Sequence, residues 1–210
     1  MSRIINTEEL MRNAPFELSK ADKEVFTTTE EAFAPHTWED IQEIIACGDT
    51  SQLKRSSTDL RNYIFFARDI QNTFGSIRCH YRHAVPFADQ SDYRILRNDW
   101  PYAMSPCMVH LVVWLKTPIP VDAEGDPTTE SRRLIADFIE RTFAIHMSQR
   151  EPAGDNIQWF KNRIKWQNVR ALEHIHVIRR HVDDELVTKL TGQVPDGIVS
   201  KSYSASVDSN

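Results

Sequence analysis

The chain has 210 residues, 40% of them apolar and 26% charged, and a net charge of −5. That composition excludes collagenous, low-complexity and wholly disordered chains, and the length fits one domain with extensions. The longest apolar run, around Leu111 to Leu115, falls far short of the roughly 20 residues a membrane span needs.

Three cysteines (Cys47, Cys79 and Cys107) stand singly and are odd in number, which argues against a disulfide framework and against a CxxC metal knuckle. Acids occupy the place where a signal peptide would carry its apolar region, so a reducing, cytoplasmic compartment is expected. The charge is uneven. Residues 1–50 hold 4 basic and 11 acidic side chains, whereas 51–82 hold 6 and 2, and 161–180 hold 6 and 1. A global electrostatic case for nucleic acid fails, but the two basic segments leave room for a local patch.

Residues 1–34 are polar, acidic and weakly periodic, and read as a loosely attached arm. Thr37 can cap a helix with Asp40 at the capping-box position; Trp38, Ile41, Ile44 and Ile45 form its stripe and Gly48 stops it. Leu60, Tyr63, Ile64, Ala67, Ile70 and Phe74 recur at three- and four-residue steps, which predicts a second helix closed by Gly75. From Tyr93 to Pro120 the character changes: Pro101 and Pro106 exclude a continuous helix, and 109–116 reads as a strand. A helix is expected over about 129–147, striped by Leu134, Ile135, Phe138, Ile139 and Phe143. Strands follow at 156–161 and 171–179, then a short helix near 183–190 and a Ser-rich tail. Strands and helices are segregated rather than alternating, so the expected fold is α+β: a small, mainly antiparallel sheet with helices packed on it. The chain divides into a polar arm (1–34), one α+β catalytic domain (35–199) and a disordered tail (200–210).

The strongest chemical signal is EHIHVI at 173–178. Side chains alternate along a strand, so His174 and His176 share one face with Leu172 and Ile178, while Glu173 lies on the other. Two imidazoles on one face suit a metal, a nucleophile with its helper, or a pair of packed structural histidines. Zinc would need further ligands from His80, His83, His110 or His181, and no metal or cofactor is expected. In NDWPY, Asn98, Asp99, Trp100 and Tyr102 sit on a loop before the strand that bears His110, a common place for ligand contacts. Trp159 and Asn162 fall at the end of a later strand. Glu39, Asp40 and Glu43 occupy the first turns of a helix, where their charge favours the positive helix end.

Two resemblances organise these fragments. Asn98, Pro101, Tyr102, the VHLVVWLK strand, Asn162 and His174/His176 occur in the order found in the histidine-triad superfamily, over about 80 residues, with Leu172 at the first histidine position. That resemblance implies a histidine-triad-like sheet and a nucleotide hydrolase or transferase with His174 as nucleophile. The second covers most of 37–180. The blocks TWEDIQEII, GDTSQLKRSSTDLRNYIFFARDIQNTFGSI, LRNDWPYAMSPCMVHLVVWLKTPIP, WFKN and VRALEHIHVI resemble the fungal N-acetylglucosamine-induced protein family. Some biosynthetic proteins resembling that family are arginine-containing cyclodipeptide synthases.

The second resemblance implies an aminoacyl-tRNA-dependent synthase in fungal secondary metabolism, making an arginine-containing diketopiperazine. Arginyl-tRNA and a second aminoacyl-tRNA would be its partners. Its acidic motif maps onto Glu39-Asp40-x-x-Glu43. Physical chemistry permits the activity without ATP or metal, because an aminoacyl ester is already activated and needs positioning, a base and oxyanion support. A guanidinium wants a bidentate carboxylate, which Glu43, Asp99 or Glu173 could supply, and aromatic faces such as Trp100, Trp114 and Trp159. The basic segments 54–82 and 161–180 would meet the tRNA acceptor stem. A non-catalytic N-acetylglucosamine-responsive protein with structural histidines is the third class.

Overall fold

Met108–Leu115 (β2) and Glu173–Arg180 (β4) are the runs richest in β-branched and aromatic side chains, and they pair antiparallel over their full length. Tyr93–Arg97 (β1) pairs with the outer edge of β2, and Ile157–Phe160 (β3) with the outer edge of β4. The result is a four-stranded antiparallel sheet in the order β1-β2-β4-β3. This computed structural model describes residues 7–29, 31–74, 85–143, 156–163, 166–167 and 172–193. The expected fold class, a small antiparallel sheet with helices packed on it, is what the chain forms.

The register sorts the side chains onto two faces. Val113 faces Ile95 and Ile175, and Leu111 faces Val177, all on one side. There they meet Ile135, Phe138 and Ile139 of the helix Thr129–Thr142 (α5), in a core completed by Phe87 and Phe143. Phe87 stacks on Phe138 at 4.4 Å, and Tyr93 meets the same ring edge-on at 4.9 Å. Each large apolar side chain buried here is worth about 1.5–3 kcal/mol. Buried Asp92 ties the N-terminal end of β1 to this layer, its carboxylate accepting from Phe87 N, Thr117 N and Thr117 Oγ1.

The opposite face carries His110, Val112 and Trp114 of β2 beside His174, His176 and Ile178 of β4. Helix Trp38–Cys47 (α3) covers one end of it, with Trp38, Ile41 and Ile44 packed against Met108, Phe160 and Ile178. The helix starts where its sequence predicts. Thr37 Oγ1 accepts from Asp40 N at 3.2 Å and Asp40 Oδ2 accepts from Thr37 N at 2.8 Å; Gly48 closes it in the left-handed conformation. The 98–106 loop is stitched over the same face by His36 N to Ala103 O and Ala103 N to Lys54 O, both 2.9 Å.

Three elements differ from the sequence reading. The 1–34 segment contains two short helices, Thr7–Arg12 (α1) and Lys20–Val25 (α2). Leu10, Leu18 and Val25 are buried against Leu60 and Ile64 of helix Ser57–Phe74 (α4), so this segment is anchored rather than loose. Strand β1 was not expected: it is five residues long, and Ile95 is its one buried side chain. Helix α5 ends at Thr142, and residues 144–147 of the expected helix lie outside the described residues, as do Gly75 and the 200–210 tail. The last helix, Asp184–Thr191 (α6), begins on an Asp183 cap and ends at Gly192. No helix among the described residues is long and apolar enough to cross a membrane.

Candidate functional site

A strand pair places a cross-strand diagonal within reach of long side chains. That is how His110 of β2 meets His176 of β4: His110 Nε2 lies 2.9 Å from His176 Nδ1. Each ring is stacked on one aromatic neighbour. Tyr102 stacks on His110 at 5.2 Å, and Phe160 stacks on His176 at 4.7 Å. His174, two residues back along β4, sits edge-on to His176 at 5.3 Å and packs against Trp114 at 4.8 Å. Three imidazoles therefore share one buried sheet face.

Burial sets their protonation. The His110 pKa falls to about 3, mainly by desolvation and then by the nearby Arg55 charge. His176 is pushed well below its usual value by burial, then by His110, His174 and Arg55. Burial also lowers His174, opposed by its bond to the Leu172 carbonyl and by the Glu173 charge. All three are neutral near pH 7, so each ring has one donor and one acceptor nitrogen.

The neighbours then dictate which nitrogen is which. Trp100 N donates to Asn98 Oδ1 at 3.0 Å, so the Asn98 amide nitrogen faces His110 as a donor, 3.3 Å from both ring nitrogens. Tyr102 N donates to His110 Nδ1 at 3.4 Å. Because Tyr102 N donates to Nδ1, the proton of His110 is assigned to Nε2 and donated to His176 Nδ1. His176 then carries its proton on Nε2, 3.3 Å from Asn162 Nδ2. Thr50 Oγ1 lies 2.8 Å from the other arm of this amide, Asn162 Oδ1. Amide oxygen and nitrogen exchange by a half-turn; with the oxygen toward His176 and the nitrogen toward Thr50, the whole chain of donors is matched. His174 is different. Its Nδ1 donates to the Leu172 carbonyl at 3.1 Å, and its Nε2 has no hydrogen-bond partner among the described residues. That nitrogen is not a buried orphan either, so it is open to the adjoining cavity.

The cavity has a volume of about 120 Å³ and lies between the sheet, the 97–102 loop and α4. Of the residues expected at a site, it gathers Asn98, Asp99, Trp100, Tyr102, Asn162, His174 and His176. His110 lies behind His176 as its hydrogen-bond partner. The remaining candidates lie elsewhere. Trp159 is on the opposite face, packed with the α5 core, because it is one residue out of phase with Phe160. Glu173 is on that face too: its Oε1 pairs with the buried Lys161 ammonium at 3.2 Å and its Oε2 accepts from Ile119 N at 3.1 Å. Glu39, Asp40 and Glu43 are exposed on α3 and do not line the cavity. Hydrogen bonds from Thr37 hold the Asp40 carboxyl below its usual range, as expected of a cap.

Sequence reasoning missed Arg55, Tyr63 and Phe66, which wall the cavity from the α4 side. Tyr63 belonged to a recognised helical stripe, but periodicity cannot tell a core face from a cavity face. Arg55 was one charge within a basic segment. Two other basic side chains there make internal contacts, Arg61 with Thr7 and Arg68 with the Asn13 carbonyl. In the 161–180 segment, Lys161, Arg163, Arg179 and Arg180 likewise bind Glu173, Asp126, the Phe143 carbonyl and Asn156. Among the described residues no group of three or more His, Cys, Asp or Glu is placed to hold a metal ion.

The chain has relatives among known proteins. It is 30% identical over 188 residues to N-acetylglucosamine-induced protein 1 of Candida albicans, covering 74% of this chain and 72% of that protein. An uncharacterised protein of Saccharomyces cerevisiae is 26% identical over 157 residues, covering 67% and 77% respectively. The crystal structure of HTC1 superposes with a TM-score of 0.51 at 24% identity, covering 73% of this chain and 92% of that one; this likeness shows the fold alone. Residues 37–180, the span that contains the sheet, the cavity and all three imidazoles, match DUF3605, described as a protein of unknown function, and the chain belongs to that family.

Proposed function

We propose that the protein is a histidine-dependent transferase that acts on an activated ester in this cavity, and that the ester is an aminoacyl-tRNA, making it an arginine-incorporating cyclodipeptide synthase. The observation that carries the reading is His174: a neutral imidazole, its Nδ1 proton fixed on a backbone carbonyl, with Nε2 open to the cavity. Such a nitrogen can take a proton from an α-ammonium group. The freed amine attacks the second ester carbonyl; the new N–C bond forms, the attacking nitrogen gives its surplus proton to solvent, the C–O bond to the tRNA ribose breaks, and His174 returns its proton to the leaving ribose oxygen. A second attack by the remaining amine closes the ring and releases the other tRNA. The Asn98 amide nitrogen, which lines the cavity and carries a second hydrogen, would support the oxyanion. Of the three carboxylates considered for the guanidinium, Asp99 is the one that lines the cavity.

A second reading takes phosphorus as the electrophile, with His174 Nε2 as nucleophile in a nucleotide hydrolase or transferase. The row of three imidazoles on one sheet face favours it. Mass spectrometry of a host expressing the gene separates the two. A new arginine-containing diketopiperazine that vanishes in His174→Ala supports the synthase. A phosphoramidate adduct on His174 after incubation with nucleotide supports the second reading and rejects the first.

A further inference from the structure

Among the described residues, the cationic side chains that form ion pairs are Lys20, Arg97, Arg133, Lys161 and Arg163. Arg55 forms none, yet it is only 7% exposed. Its Nε donates to the Trp100 carbonyl at 2.9 Å, and its guanidinium plane lies over Tyr63 at 4.2 Å and Tyr102 at 4.6 Å. Those contacts hold the group in place without neutralising it. Glu17 and Asp22 line a smaller polar pocket on the far side of Arg55, but neither is within ion-pair reach, and Asp22 already caps α2 through Ser19 N. Asp99 lines the same cavity but forms no ion pair with Arg55, and a buried cation beside three neutral imidazoles with no paired counter-ion is an unfavourable arrangement. It becomes favourable when an oxyanion enters, and a planar guanidinium clamped by aromatic rings is shaped for bidentate contact with phosphate oxygens.

We propose that Arg55 is the phosphate receptor of this site, holding a phosphate group of a nucleoside-bearing ligand in the cavity that His174 faces. The proposal rests on reading the cavity as a substrate site, but it requires no turnover. The same chemistry serves two sources, a free nucleotide or the terminal nucleotides of an RNA. Arg55 thus binds and orients the ligand while His174 acts on it.

The test uses the full chain and the tryptophans Trp100, Trp114 and Trp166 that line the cavity as a fluorescence probe. Adenosine 5′-monophosphate and a CCA trinucleotide are titrated separately, with adenosine and potassium chloride of matched ionic strength as controls. Saturable quenching by at least one of the phosphate-bearing ligands is expected, tighter than by adenosine by tenfold or more. Arg55→Gln and Arg55→Lys should each weaken that binding at least tenfold while the near-ultraviolet circular dichroism stays native. Tighter binding of the mononucleotide points to the free-nucleotide source, and tighter binding of CCA to RNA. No binding by the native chain, equal affinity for adenosine, or folded Arg55 variants that bind as well as the native chain would each overturn the proposal.

If both variants fail to fold, phenylglyoxal labelling of the native chain decides. Protection of Arg55 by the bound ligand supports the receptor, and labelling indifferent to the ligand overturns it. Phosphate binding without any diketopiperazine or histidine adduct would instead sink the transferase reading and leave Arg55 as the receptor.

Discussion

Neutral histidines in a dry, aromatic layer make the site sensitive to acid, and the sign follows from the direction of the shift. In the unfolded chain His110 takes up a proton near its ordinary value of 6.5, whereas in the fold it stays neutral down to about pH 3. Stability is therefore complete above pH 6.5 and falls as pH drops toward 3, by up to about 1.4 kcal/mol per pH unit for one such group. Urea unfolding at a series of pH values from 4 to 8 should show this slope, and His110→Gln should flatten part of it. A slope unchanged in that variant would mean the acid sensitivity lies elsewhere. At His174 the expected effect is on rate: His174→Ala should lose roughly 10²–10⁴-fold in product formation, the range of an acid–base role, while remaining folded. Native activity in a folded His174→Ala, His176→Ala double variant would make the imidazoles structural.

Single elements carry separate duties. The Thr37/Asp40 capping box begins α3, and its acids face solvent while Trp38, Ile41 and Ile44 face the sheet. Asp40→Ala should lower stability by about 0.3–1 kcal/mol, the usual worth of an acid in the first turn of a helix, with activity per folded molecule kept. Glu43→Gln, in the second turn and outside the cavity, should change stability less than Asp40→Ala does; a large loss of activity in it would return the acid motif to the site. The N-terminal helices make a different contribution. Leu10 and Leu60 are almost wholly buried against each other's cluster, and α4 in turn walls the cavity with Tyr63 and Phe66. Leu10→Ala should destabilise by about 2–5 kcal/mol, as a core truncation does. A loss under half a unit on that scale, read by urea unfolding, would show that the segment is the loose arm its composition resembles.

At the scale of the whole molecule, the question is what is delivered to the cavity. If aminoacyl-tRNA is the donor, product formation in a purified system needs tRNA, arginyl-tRNA synthetase and ATP, and ribonuclease stops it. Raising salt should also weaken it, because phosphate contacts release counterions. Product that survives complete removal of tRNA rejects this donor. The four described basic side chains of 161–180 are engaged internally, so the salt dependence should be shallow rather than that of a broad basic face.

Much of this was legible in the residues alone. Alternation put His174 and His176 on one face, the Thr37–Asp40 spacing marked the start of α3, and β-branched runs marked β2 and β4. Each is a local rule, in which the period or the cap is written within a few positions of the residue it governs. Long-range register decided the rest. His110 is 66 positions from His176, and only the β2–β4 pairing makes them a hydrogen-bonded couple. One step of strand phase sends Trp159 to the α5 core and Glu173 to the same face of the sheet, beside Lys161, while Phe160 and His174 stay on the cavity side. Arg55 is a basic residue among others until the 98–102 loop folds over it and the Trp100 carbonyl and two tyrosine rings hold it buried. Sequence fixes a side chain's chemistry and its local face. Whether that chemistry is solvated, paired or left facing a cavity is set by residues far away in the chain, through burial and desolvation that no local pattern encodes.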